Sequence, residues 1–143
     1  MAWERTSFAN RETAKEFVGT HAALWGIAAA VYLASMGPGG MADLGKVILQ
    51  RSLYARKVLG EVPGVSTGKP SGACFKEFVV DFGQSGRDVA DINEKLLARG
   101  IFGGKDLSGE FPELGQSALY CVTEKTSEKD IDRLVEALSD ILR

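Results

Sequence analysis

The feature that most constrains this chain is a run of residues without a single charge. Phe17 to Met36 reads FVGTHAALWGIAAAVYLASM and contains no Asp, Glu, Lys or Arg. From Ala22 the run is rich in alanine, the best helix former, which predicts a helix. Apolar residues occupy every side of that helix, and a helix that is apolar all round is buried in a large protein or spans a membrane. The run is long enough to cross a bilayer. Gly19, Thr20, His21, Gly26 and Ser35 dilute its hydrophobicity, while Ala22, Gly26, Ala30 and Ala34 suit close helix packing in either solvent. On the residues alone, both readings stay open.

The next segment is punctuated more clearly. Gly37 supplies a stop, and Pro38 opens a second helix at its first turn, where a missing N–H is tolerated. That helix is expected from about Pro38 to Leu59, with Met41, Leu44, Val47, Ile48 and Tyr54 at helical spacing. Arg51, Arg56 and Lys57 suit its negative end. Gly60 closes it and Pro63-Gly64 turns the chain.

Beyond Gly60 the period changes from helical to alternating. In Cys74 to Phe82, CFKEFVVDF, the residues Phe78, Val80 and Phe82 point one way and Glu77, Val79 and Asp81 the other, as in a half-buried strand. Asp88 to Arg99 reads as a short helix that buries Val89, Ile92, Leu96 and Leu97. Ser117 to Thr123 reads as a second strand. Ser127 to Arg143 is a helix with Ser127 as N-cap, Asp130 in a capping-box position, and Ile131, Leu134, Val135, Leu138, Ile141 and Leu142 as its stripe. A further short strand is expected near Gly64 to Gly68. The fold class is therefore α/β of the α+β type, with buried N-terminal helices followed by a small two-layer β-α-β-α domain. Residues 1–60 are assigned to a polar arm and two interface helices, and residues 61–143 to the small domain.

Composition excludes several functions. The chain has 143 residues, 45% hydrophobic and 25% charged, which is globular and not disordered. Its net charge of -2 leaves no basic surplus for a phosphate backbone, so nucleic acid is not an expected partner. Cys74, Cys121 and His21 are too few for a structural zinc site, so no metal is expected. The cysteines read as buried free thiols in a reducing cytosol, with a disulfide between them as the other reading. No secretory signal is visible, because the apolar run ends at Gly37-Pro38-Gly39-Gly40 and not at a small-residue cleavage site.

Several motifs invite chemistry and fail on context. Gly37-Pro38-Gly39-Gly40-Met41-Ala42 matches the dinucleotide fingerprint, but a strand must precede it and here a helix does. Gly68-Lys69 and Gly104-Lys105 lack the following Ser or Thr of a phosphate loop, and Pro63 and Arg99 stand where its first glycine belongs. His21 has no nucleophile partner at a recognisable spacing. Two places keep a site reading beside an ordinary one. In Gly100-Ile101-Phe102-Gly103-Gly104, adjacent glycines let the backbone pass close to something else, either a ligand or partner or simply a turn. Thr123 and Glu124 lie at the exit of the second strand, where polar side chains face a site or merely precede the Ser127 cap.

Taken together, KEFVGTHAALWGIAAAVYLASMGPGGMADLG, FKEFVVDF and ARGIFGGKDLSGEFPELGQSALYCVTEKTSEKDIDRLVEAL cover nearly the whole chain in order. In this combination the chain resembles the C-terminal part of subunit 1 of glycine dehydrogenase (decarboxylating), the P-protein of the glycine cleavage system. The resemblance implies the aminotransferase-like fold (fold type I) of pyridoxal-phosphate enzymes, with this chain supplying the small C-terminal domain. It implies an enzyme that decarboxylates glycine and passes the aminomethyl group to the lipoyl H-protein. It also implies that pyridoxal phosphate is held by a lysine of the second P-protein subunit, with no cofactor and no catalytic residue in this chain. Gly19, Thr20, His21, Gly103, Gly104, Thr123 and Glu124 become the candidates for substrate or interface contact. Lys105 and Asp106 depart from the family, which often has an aromatic residue after the Gly-Gly pair.

On this reading the chain is a fragment of a cytoplasmic enzyme, inactive alone, and the apolar run is an interface helix and not a membrane span. Deprived of its large domain, the fragment is expected to self-associate. The other readings are a stand-alone oligomerising interaction domain and a membrane-anchored small domain.

Overall fold

The computed structural model describes residues 20–68 and 72–143. Its first element, α1 (Thr20–Leu59), is two helical stretches that meet at Gly37, whose φ of 61° and ψ of 179° are not helical. Pro38 follows at once, so the expected stop and restart are both present. The Gly37-to-Ala42 fingerprint is therefore preceded directly by helix and not by a strand.

The chain divides into two compact units, Met1–Ala42 and Asp43–Arg143. In the described part of the first, every residue from Ala22 to Ser35 is exposed. Trp25 is 72% exposed and Leu24 67%. By length and composition alone, the helix from Ala22 is apolar enough to cross a membrane, with a mean hydropathy of 1.3.

The second unit is built on a three-stranded sheet. Strands β1 (Glu77–Asp81), β2 (Lys105–Asp106) and β3 (Ser117–Cys121) run in the order β1-β3-β2, and both pairings are antiparallel. The register sets Phe78 opposite Tyr120 and Val80 opposite Ala118. Directly opposed residues share a face, so these four form one apolar surface, and all are buried. The rings of Phe78 and Tyr120 stack with centroids 6.4 Å apart.

Helices α2 (Val89–Ala98) and α3 (Glu128–Ile141) join that surface in one core. Val89, Ile92 and Leu96 come from α2, and Ile131, Leu138 and Ile141 from α3. The last turns of α1 add Ala55 and Leu59 at helical spacing, while Ser52 and Ile48 are buried one and two turns earlier, respectively. Each fully buried large aliphatic side chain contributes roughly 1.5–3 kcal/mol, so this cluster is the main source of the domain's stability.

The helix ends are closed by specific partners. Ser127 and Asp130 form a complete capping box on α3. Asp88 makes no side-chain cap on α2, and Gln116 accepts from the Val89 N–H at 2.9 Å instead. At the other end of α2, Arg133 of α3 donates to the Arg99 carbonyl at 2.6 Å.

The α+β class and the element order agree with the sequence reading, with several corrections of detail. β1 is shorter than Cys74 to Phe82, and Gly64 to Gly68 contributes only a single bridge, Ser66 to Asp81. β2 has no counterpart in the sequence reading, because two polar residues carry no alternation. Leu97 is 57% exposed and not buried, since α2 turns only its Val89–Ile92–Leu96 stripe inward. The cysteines are free, but Cys74 is half-buried and Cys121 exposed. Cys121 lies at the end of β3, opposite exposed Glu77.

Candidate functional site

The candidate residues fall in three places. Gly19, with the side chains of Thr20 and His21, lies outside the described residues. The other four belong to the second unit, in the loop that enters β2 and the turn that leaves β3.

The first of these loops is set up by the way α2 ends. Gly100 takes a φ of +70°, and its N–H donates to Leu97 O while the Ile101 N–H donates to Leu96 O. That pairing closes the helix with a left-handed glycine cap. Ile101 then turns toward the core and Phe102 toward solvent, 89% exposed. Asn93, one helical turn before Leu96, donates from Nδ2 to the Gly104 carbonyl at 2.9 Å.

The two glycines are there because the backbone passes close to side chains of the same domain. A Cβ on Gly103 would collide with Asn93 Oδ1. A Cβ on Gly104 would stand 2.5 Å from Tyr120 Cε2 and 2.9 Å from the Leu119 carbonyl. The close approach read from the sequence is thus made to Asn93, Tyr120 and Leu119. Burial pushes the Tyr120 phenol up to about 12, with the Gly104 backbone N–H acting weakly in the other direction. That N–H does not reach hydrogen-bonding geometry, and the Tyr120 hydroxyl has no partner among the described residues. Burial dominates, and the phenol stays neutral throughout the physiological range.

The second place is the turn after β3. Thr123 Oγ1 accepts from the Lys125 N–H at 3.2 Å, and the Thr126 N–H donates to the Thr123 carbonyl at 3.1 Å. Arg51 of α1 donates through Nη1 to the Glu124 carbonyl. One turn further along α1, Tyr54 donates to Asp132 Oδ1 of α3 at 2.7 Å. Arg51, assigned from sequence to the helix dipole, thus fastens this turn to α1. Asn93, Tyr120 and Arg51 all support the candidate residues without being legible as supports in the sequence. Only Asn93 leaves a signal, as a poor helix former in mid-helix.

Thr123-Glu124 and Gly103-Gly104 are both next to β3, but they lie at its exit and beside its paired residue Leu119 respectively. No observed hydrogen bond joins the two places. Among the described residues no cluster of metal-binding side chains exists. A Schiff-base lysine needs a sheltered ammonium with a depressed pKa. Lys46, Lys57, Lys76, Lys105, Lys125 and Lys129 are exposed, and Lys95 is ion-paired to Asp91 at 2.7 Å. The described residues therefore do not fit a pyridoxal-phosphate anchor.

In class, the fold is that of aminotransferase-like, fold type I enzymes. The chain superposes on Burkholderia pseudomallei sphingosine-1-phosphate lyase with a TM-score of 0.58 at 19% identity, over 77% of this chain and 23% of that one, a likeness of fold alone. Far nearer is the crystal structure of glycine decarboxylase (P-protein) of the glycine cleavage system in inhibitor-bound form. There the TM-score is 0.80 and the identity 28%, over 99% of this chain and 31% of that one. No protein-family model matches the chain. By sequence it is 41% identical over 138 residues, 96% of its length, to the probable glycine dehydrogenase (decarboxylating) subunit 1 of Staphylothermus marinus. It spans 29% of that relative's length. The resemblance to subunit 1 of glycine dehydrogenase (decarboxylating) thus holds along nearly all of this chain and covers under a third of that subunit.

Proposed function

We propose that this chain is the C-terminal part of subunit 1 of a two-subunit, cytoplasmic glycine decarboxylase, and that its work is architectural. The observation that carries this is the superposition on a P-protein along 99% of the chain, supported by 41% identity to a subunit 1. Residues 1–60 supply the arm and the interface helices, and residues 61–143 the small domain. Ala55 and Leu59, in the last turns of α1, pack into the core of the small domain.

In the complete enzyme, pyridoxal phosphate on a lysine of the second subunit would supply the electron sink for decarboxylation. The residues of this chain would bind and exclude. The apolar face from Ala22 to Ser35 would seat against the large domain and shed water. The turn at Thr123 and Glu124, with the loop at Gly103 and Gly104, would border the interface or the substrate glycine. The aminomethyl group would then leave on the lipoyl H-protein.

Co-expression of full-length subunit 1 with the second subunit tests this. A stable complex that releases carbon dioxide from glycine is expected, and deleting Phe17 to Met36 should abolish both assembly and release. Full activity of the second subunit by itself would overturn the proposal. So would an internal-aldimine absorbance band in this chain purified alone, since the chain is expected to hold no cofactor.

A further inference from the structure

The end of α1, the turn that follows it and the adjoining face of α3 line a groove of about 330 Å³. Its apolar surface includes Val58, Val62 and Val135, and its acidic groups are Glu61, Asp132 and Glu136. None of the lining residues is cationic. The sequence of α3 dictates this sorting of charge. Glu128, Asp132 and Glu136 recur every four residues and so form one stripe. Arg133, on a neighbouring stripe, is directed away to the Arg99 carbonyl.

The negative field of this face is felt by Tyr54. Its phenol is held above the ordinary tyrosine range by the hydrogen bond to Asp132, then by burial, and then by the charges of Asp132, Glu128 and Glu61.

An apolar surface beside carboxylates that form no ion pair among the described residues selects its occupant. An apolar segment alone would cover the carboxylates without neutralising them, and burying unpaired charge is unfavourable. The charge-free helix of a second copy of this chain fails on that ground. A strand of nucleic acid fails by repulsion. A segment that pairs apolar side chains with lysine or arginine satisfies both parts of the groove, and such complementarity also speeds encounter.

We propose that this groove receives an apolar segment bearing lysine or arginine from the second subunit of the complex. The inference rests on the function proposed above, and names where on this chain that subunit is gripped.

The test uses the two full-length subunits and the substitutions E61Q and E136Q together, which leave the Tyr54–Asp132 bond in place. E136K serves as a second variant with a larger expected effect. The dissociation constant of the complex is measured at low and at high salt, alongside the melting temperature of each variant subunit 1. The expected result is a complex weakened about tenfold at low salt, a difference that closes at high salt because exposed charges are then screened. Melting temperatures should be unchanged.

Equal dissociation constants at every salt concentration would overturn the groove while leaving the assembly intact. Failure of the wild-type subunits to associate at all would overturn the function proposed above and this occupant with it. Salt-sensitive self-association of subunit 1, weakened by E61Q and E136Q, would make a second copy the occupant and also overturn the proposal.

Discussion

At the scale of single residues, Gly104 is tightly constrained by the sheet beside it. Its would-be Cβ meets not only a ring but the Leu119 carbonyl at 2.9 Å, and a backbone atom inside a sheet cannot step aside. Gly104→Ala is therefore expected to destabilise the domain by about 1–3 kcal/mol, as overpacked cores do, read as a fall in melting temperature. Tyr120 makes the complementary case. Its hydroxyl is buried without a partner among the described residues, so Tyr120→Phe removes a group that makes no bond there and should leave stability at neutral pH within about 1 kcal/mol of wild type. The two should separate in alkali. A tyrosine whose folded pKa is raised from 10.0 to about 12 favours the folded state fully below pH 10, and loses that contribution as pH climbs toward 12. Thermal melts between those values should show wild type falling more steeply than Tyr120→Phe. The Gly-Gly pair was legible in the sequence as a place of close approach. What it approaches was not, because Asn93 and Tyr120 arrive from different elements, and nothing local to the loop encodes a contact made through the sheet.

At the scale of elements, legibility followed periodicity. α3 was readable almost to the residue, since its stripe and its Ser127–Asp130 box both announce it. The box is complete: the Ser127 hydroxyl accepts from the Asp130 N–H at 3.2 Å, and the Ser127 N–H donates to Asp130 Oδ2 at 2.9 Å. Ser127→Ala should weaken the domain by roughly 0.5–2 kcal/mol. Its pH dependence has a definite sign. Hydrogen bonds from the Ser127 side chain and backbone hold the Asp130 carboxyl below its usual 3.8. A carboxylate with a depressed folded pKa stabilises above its unfolded value, and that contribution disappears as pH falls through the folded one. Chemical denaturation should therefore show the gap between wild type and Ser127→Ala narrowing as pH falls below about 3.8, and a gap that widened in acid would contradict the assignment. By contrast β2, at Lys105–Asp106, is a strand only because β3 offers it an edge. Two polar residues have no period to read, and their pairing is decided by tertiary structure.

At the scale of the whole molecule, the dominant fact is the apolar surface between Ala22 and Ser35. Ile27 is 62% exposed and Val31 61%, and each would gain roughly 1.5–3 kcal/mol on burial. Left without the partner surface proposed for it, the chain is expected to self-associate. Sedimentation equilibrium should find species heavier than one chain, and Ile27→Glu with Val31→Glu should shift them toward monomer. A monodisperse wild-type monomer would oppose this. The sequence announced this surface unmistakably, but not what covers it, because a segment that is apolar all round carries the same signature in a protein core and in a membrane. At its end stands Gly37, with φ 61° and ψ 179°, and nothing lies within 4 Å of where its Cβ would be. The position has ample room, so what excludes other residues there is torsion, in a region essentially closed to L side chains. Reflection of those angles gives −61° and −179°, ordinary extended backbone for an L residue, so the angles as they stand are ordinary for a D residue. A chemically ligated chain with D-alanine at position 37 should therefore keep the wild-type melting temperature, while L-alanine at the same atom lowers it: the break in α1 is specified by chirality and not by size.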